Sequence, residues 1–245
     1  MADYASQFFA FALDALEKVR TESSDAIRQT AQAVADCVEQ DKLVFLFGSG
    51  HSALVARDAV GRAGGLLPAI LVEDLIEGDA ERVEGVAAII ASRYDLSAGG
   101  VFILISNSGI NPVPIEMAMI GREFGMKIIV ITSLAHSQSV NSRHSSGKKL
   151  FDLADIVIDT HTVRGDAAIE VEGSEFRTGS TSTMIGCAII QAITVEAVGL
   201  LAERGITPPI LVSANIPEGK EHGRALMKRY GTRLVRHVLP LRADD

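Results

Sequence analysis

Short apolar runs that break off into turns of small polar residues constrain this chain more than any other feature. KLVFLF (42–47) runs into GSGHSA, GGVFILIS (99–106) runs into NSGINPVP, and MKIIVITS (126–133) runs into a Ser/His-rich stretch. LLPAILVED (66–74) and ADIVIDT (154–160) complete the set. Strands with no polar alternation are buried on both faces, which is the signature of a parallel sheet covered by helices. Helical periodicity returns between the runs, so the expected architecture is α/β, three-layer α/β/α, with a parallel and mainly five-stranded sheet.

Helices fill the rest. Residues 4–39 read as two amphipathic helices that break near Thr21–Ser24, with stripes Phe8, Phe9, Ala12, Leu13, Leu16 and Ile27, Ala31, Val34, Ala35, Val38. A helix is expected from Ser52 to about Arg62, a polar acidic one around 77–94, and one after Pro112 and Pro114 that ends near Gly125. A long apolar helix spans about 180–204, and a charged one spans 217–230. The whole of 1–245 is read as one domain: N-terminal helices to residue 40, an α/β core over 41–204 and a helical extension over 205–245.

Composition narrows the class. With 47% hydrophobic residues the chain has material for a core, and Trp is absent while Gly numbers 22, which suits small-residue helix packing on a sheet. A net charge of −8 is the wrong sign for broad nucleic-acid binding, where phosphate neutralisation dominates. Cys37 and Cys187 lack C-x-x-C spacing and read as free thiols in a reducing cytoplasm. The start MADYASQFFAF carries an acid before its apolar stretch and is not expected to act as a signal peptide. The apolar stretch 184–202 contains Gln191 and Glu196 and reads as a core helix, so no membrane partner is expected.

Ligands of open parallel sheets bind beyond the carboxyl ends of the strands. Three small polar turns stand there: GSGHS at 48–52, SNSG at 106–109 and TGSTST at 178–183, the last opening the long helix. Glycine admits close backbone approach, hydroxyls donate, and helix N-termini attract negative charge. Together they describe a phosphate cradle without Lys or Arg. GSGHSA is also a G-x-G-x-x-A after a strand, with Glu73 and Asp74 ending the next strand where a ribose-binding acid belongs. That supports a nicotinamide-enzyme reading, but such an enzyme needs neither the second nor the third turn.

The strand–GSGHS and strand–ISNSG pair behind two helices resembles the SIS (sugar isomerase) domain family over nearly the whole chain, closest in layout to phosphoheptose-isomerase-like bacterial proteins. GSEFRTGSTSTMIGCA (173–188) is also similar to a segment of N-acetylmuramic acid 6-phosphate etherases. The resemblance implies a flavodoxin-like α/β/α fold, subunit association and a bound phosphosugar. It places Ser52, Ser106 and Ser108 on the phosphate, Gly50, Asn107 and Gly109 shaping the backbone, and Thr178, Ser180 and Thr181 beside them. Arg62 stands where the etherase carries its catalytic Glu, and the C-terminal catalytic His of the heptose isomerases has no clear counterpart.

Proton transfer between adjacent sugar carbons needs a base. Glu175, three residues before TGST, is the expected one; Glu81 and Glu84 are expected to face solvent. Six histidines are present, with no i, i+4 pair to hold a metal. His51 inside the first turn and His222 on the last helix are the candidates to assist ring opening, while His144 and Lys148 read as a solvated loop. The leading expectation is a cytoplasmic aldose–ketose sugar-phosphate isomerase that works through an enediol without metal or redox cofactor. It is read as a homodimer or homotetramer, with helices at the interface. A non-catalytic phosphosugar sensor, an NAD-dependent (nicotinamide) enzyme and a phosphosugar etherase are the alternatives.

Overall fold

In the computed structural model, which describes residues 3–74 and 78–236, the chain opens with α1 (Tyr4–Glu22) and α2 (Ser24–Glu39). There follow β1 (Leu43–Gly48), α3 (Ser52–Asp58), β2 (Ala69–Val72), α4 (Val86–Ala91), β3 (Gly99–Ile105) and α5 (Pro112–Glu123). Next come β4 (Lys127–Thr132), α6 (Leu134–Gln138), β5 (Ile156–Asp159), β6 (Ala167–Ile169), β7 (Thr178–Ser180), α7 (Ser182–Glu203) and α8 (Pro217–Arg236).

Five strands form one parallel sheet in the order β2-β1-β3-β4-β5. Alternate side chains of each strand feed opposite layers, as strand geometry requires. Val44, Leu46, Ile103, Ile105, Ile129 and Ile131 pack with residues of α2, α3 and α7. Leu43, Phe45, Phe47, Phe102, Leu104, Ile128 and Val130 pack under α4 and α5. The three-layer α/β/α sandwich read from the apolar runs is the one observed.

α7 is long and apolar enough to cross a membrane by length and composition. Its inner side nevertheless belongs to the core: Ile185, Ile189, Ile190, Ile193, Ala197 and Leu201 are buried, and the helix runs along α2 and α3. Gly186 allows that closeness, because a Cβ there would lie 3.0 Å from Val55.

Several boundaries differ from the expected ones. α3 stops at Asp58 instead of continuing to Arg62, and the chain leaves through turns with positive φ at Gly61 and Gly64. The expected acidic helix over 77–94 reduces to α4, preceded by turns: Gly78 and Gly85 adopt φ of 92° and 88°, which breaks helical geometry. Glu77, at the start of that span, lies outside the described residues, as does His237. TGSTST does not open α7 as a unit. Thr178–Ser180 is strand β7, paired antiparallel with β6 in a separate two-stranded sheet.

Candidate functional site

In a sheet ordered 2-1-3-4-5 the connections leave β1 and β3 toward opposite layers, which opens a crevice between their carboxyl ends. The exits of β1 and β3 meet there, and a cleft of about 730 Å³ opens over them. Its lining includes Ser49–Ser52, Ser106–Ser108, Glu81, Asn111, His136, Asp166, and the β7 residues Thr178–Ser180.

The β1 turn is tight by construction. A Cβ on Gly48 would lie 2.4 Å from the Ser52 carbonyl oxygen, and Gly50 adopts φ of 56°. Ser49 Oγ donates to Asp74 Oδ2 (2.6 Å), which also accepts from the Gly78 N–H (3.0 Å). Asp74 thus ties the segment after β2 onto the turn, and a Cβ on Gly78 would meet the Gly50 Cα at 2.9 Å.

The β3 turn is held from below. Asn107 Oδ1 accepts from Thr162 Oγ1 (2.9 Å), and its carbonyl accepts from Ser133 N–H (3.1 Å) and Thr132 Oγ1 (3.2 Å). Ser106 Oγ accepts from Gly109 N–H (3.2 Å), which leaves its own proton to donate upward. Gly109 itself is buried behind the lining with φ of 62°, and a Cβ there would crowd Ser137 Oγ at 2.9 Å. Among the described residues the main-chain N–H groups of Gly50, His51, Asn107 and Ser108 make no hydrogen bond.

The third segment differs from expectation in its chemistry. Asp166, at φ of 66°, accepts from the Thr181 N–H (3.1 Å), the Ser182 N–H (2.9 Å) and the Ser182 hydroxyl (2.6 Å). A carboxylate of the chain already occupies the positive end of α7. Thr181 is fully buried, its hydroxyl has no partner among the described residues, and it lies outside the cleft lining, whereas Thr178 and Ser180 stand along the wall.

The expected proton-transfer residues separate. His51 lines the cleft and is exposed. Glu175 lies in the exposed turn between β6 and β7, outside the lining. His222 sits on α8 with Nε2 2.8 Å from the Ile210 carbonyl oxygen, also outside the lining. Glu175 was expected at the pocket from nearness in sequence and does not face it within one chain, whereas His222 was expected to reach the pocket of a neighbouring copy, which a single chain does not test.

Glu81, and not Glu175, stands in the cleft wall. It is half-buried in the cleft wall, not solvent-facing, and its main-chain carbonyl accepts from the Val113 N–H (3.2 Å) in the first turn of α5. Its Oε1 accepts from Asn111 Nδ2 (2.7 Å), and Asn111 Oδ1 accepts from Arg143 (2.7 Å). Burial pushes the Glu81 carboxyl up, against the lowering effects of Arg82 and Arg143. His136 is a second lining residue missed in the sequence. Burial and the neighbouring Arg164 hold its imidazole below the ordinary range, and its Nδ1 has no partner among the described residues. Asn111 immediately before Pro112 was readable as a helix start; that its side chain leaves the cap to hold Glu81 was not.

Comparison with known proteins is consistent with this geometry. The SIS domain model matches residues 7–133, which include the first two turns. A UPF0309 protein of Listeria monocytogenes is 40% identical over 93% of this chain and 97% of its own, and one of Streptomyces coelicolor is 38% identical over 96% and 98%. Among solved structures, a phosphoheptose isomerase from Francisella tularensis superposes with a TM-score of 0.57 at 17% identity, covering 80% of this chain and 98% of that one. The phosphoheptose isomerase of Neisseria gonorrhoeae gives 0.55 at 18%, covering 80% and 97%. At such identities these two likenesses concern the fold, and the sequence matches carry the assignment: the chain belongs to the SIS domain family, with UPF0309 proteins as relatives along nearly its full length.

Proposed function

We propose that the cleft binds a sugar phosphate and that the protein isomerises it between aldose and ketose. The observation that carries this reading is a neutral, amide- and hydroxyl-rich turn pair at the β1/β3 crevice, with the half-buried carboxyl of Glu81 in the wall of the same cleft, apart from that of Asp166, which is tied to the start of α7. The phosphate is held by the hydroxyls of Ser52, Ser106 and Ser108 and by the main-chain N–H groups of Gly50, His51, Asn107 and Ser108. Donors without a formal charge suit an anion site in a chain of net charge −8. Ionised Glu81 takes the proton from C2 of the open-chain aldose, electrons shift toward O1, and the enediol forms as O1 is protonated. Return of a proton from Glu81 to C1, with loss of the O2 proton, gives the ketose. In this reading His51, which lines the cleft, carries the hydroxyl protons and assists ring opening. That structurally similar proteins are phosphoheptose isomerases supports the reaction class.

The dinucleotide alternative has less support. Asp74 is committed to Ser49 and Gly78, and Glu73 lies 3.4 Å from Arg57.

The test is a binding screen of five- to seven-carbon sugar phosphates, followed by incubation of bound compounds in deuterated water. Binding with deuterium incorporation at C2 is the expected result. Binding without exchange would make the protein a phosphosugar sensor, and failure of every sugar phosphate to bind would remove the cradle.

A further inference from the structure

The cleft has two chemically different sides. The turns that leave β1 and β3 carry no formal charge, whereas the segments that leave β4 and β5 bring three basic side chains: His136 on α6, Arg143 in the loop after α6, and Arg164 in the turn after β5. We infer that this basic side binds a second anionic group, so that the ligand is a sugar phosphate that also carries a carboxylate or a second phosphate. The inference rests on the phosphosugar reading of the cleft and narrows it to one class of phosphosugar.

Hydrogen bonds bring the three side chains to one wall. Ser133 Oγ donates to the Thr162 carbonyl (2.6 Å) and accepts from the His136 N–H (3.2 Å). The segment that leads to Arg164 therefore lies against the first turn of α6, which carries His136. Gly165 and Asp166, directly after Arg164, line the cleft. The Arg143 N–H donates to the Ile110 carbonyl (2.9 Å), and its guanidinium donates to Asn111 Oδ1 (2.7 Å) in the cleft wall. Burial first, and then the charges of Arg164 and Arg143, oppose protonation of His136.

These donors are not consumed inside the chain. Arg164 is exposed and makes no hydrogen bond or ion pair among the described residues. Arg143 spends one of the five N–H donors of a guanidinium on Asn111. His136 is half-buried in the lining, and its Nδ1 is buried with no partner among the described residues. Two guanidiniums beside a half-buried imidazole repel each other, and an anion between them removes that repulsion while accepting from all three groups. The nearby acids are engaged elsewhere: Asp166 at the start of α7, and Glu81 with Asn111.

The sheet sets the separation. In the order β2-β1-β3-β4-β5, the exits of β4 and β5 lie two strand spacings from the β1/β3 crevice, about 10 Å. That is comparable to the length of an open-chain hexose phosphate, so the second anionic group belongs at the end of the sugar remote from its phosphate.

Calorimetric titration at low ionic strength compares two pairs of compounds: glucose 6-phosphate with 6-phosphogluconate, which adds a carboxylate, and fructose 6-phosphate with fructose 1,6-bisphosphate, which adds a phosphate. At least one doubly anionic compound should bind about 10–100-fold tighter than its counterpart, the worth of a hydrogen bond to a charged group. The pair that shows the difference tells carboxylate from phosphate. Arg164→Gln should remove most of that advantage and leave the singly anionic compounds nearly unchanged, and Arg164→Lys should keep part of it. Ser108→Ala should weaken all four. Circular dichroism checks folding, to which an exposed side chain without partners contributes little. Equal affinities within both pairs, or an advantage that survives in Arg164→Gln, overturn the second anion site while the effect of Ser108→Ala keeps the cradle standing. If none of the four binds, the inference falls, and the cradle falls with it only if every other sugar phosphate also fails to bind.

Discussion

Asn111 donates its side-chain amide to Glu81 across 2.7 Å and in doing so gives up the capping of its own helix. An Asn at a helix start ordinarily turns its side-chain oxygen to the first free N–H groups. Here that oxygen accepts from Arg143, so that α5 begins uncapped by its side chain while a carboxyl in the cleft wall is held in place. Fixed orientation of a base is what proton abstraction from carbon demands.

Glu81→Gln should lower C2 deuterium exchange by about 10²- to 10⁴-fold, the usual contribution of a positioned base, with sugar-phosphate affinity nearly unchanged. Because burial raises the Glu81 carboxyl, the acidic limb of kcat/KM should lie above the range of an ordinary Glu. The sign for stability is opposite to that of an ion-paired acid. Protonated Glu81 favours the fold below the ordinary carboxyl value, and that advantage is lost as pH rises through its raised folded value. Denaturation curves of Glu81→Gln should lack that component. A fully active Glu81→Gln would move the base elsewhere, to His51 first.

Ser52→Ala and Ser108→Ala should each weaken phosphosugar binding by about 1–3 kcal/mol, the cost of a hydrogen bond to a charged group. Unfolding midpoints should barely move, because neither hydroxyl donates a hydrogen bond within the described structure. Calorimetric titration of both variants checks this, and unchanged affinity in both would remove the two turns from the phosphate site.

Asp166 separates the third turn from the first two. Asp166→Ala removes acceptors for two N–H groups and a hydroxyl at the start of α7, and it places Ala at a φ of 66°. Loss of the cap should cost about 1–2 kcal/mol of unfolding free energy, with added backbone strain. Asp166→Asn keeps an acceptor and a residue that tolerates this φ, so it should cost less and, by removing a negative charge from the cleft, should tighten anion binding. Weaker phosphosugar binding in Asp166→Asn would mean that the carboxylate contacts the sugar.

The sheet was legible because its signal is local: each buried strand is one apolar run, and the turns that leave β1 and β3 are clusters of Gly and Ser. The first two cleft turns could be read for the same reason. Glu81 could not, because its burial is made by Asn111, thirty positions away, and by the fold of the turns before α4. Nearness in sequence favoured Glu175 beside TGST, but the intervening segment forms the β6–β7 hairpin and carries Glu175 outward. The stripe read on α1 was likewise mixed. Ala12, Ala15 and Val19 face inward, whereas Phe9 and Leu13 do not.

Those outward residues carry the prediction of assembly. Phe9 and Leu13 are each 65% exposed on α1, and Val195 is 71% exposed on α7, the helix against which α1 packs. Fully burying one such side chain contributes roughly 1.5–3 kcal/mol, so several from each of two copies can offset the entropy of association. A homodimer or homotetramer closed through α1 and α7 is the expected state at micromolar concentration, because self-complementary helix faces close on themselves by symmetry. Leu13→Glu and Val195→Lys should each shift sedimentation toward the monomer while leaving circular dichroism unchanged, since both positions are exposed within one chain. A wild-type protein that sediments as a monomer would exclude this interface. Dissociation with loss of exchange activity would indicate that the cleft depends on a neighbouring copy, and Glu175 and His222, which do not face their own cleft, would then be the residues to test for contact across the interface.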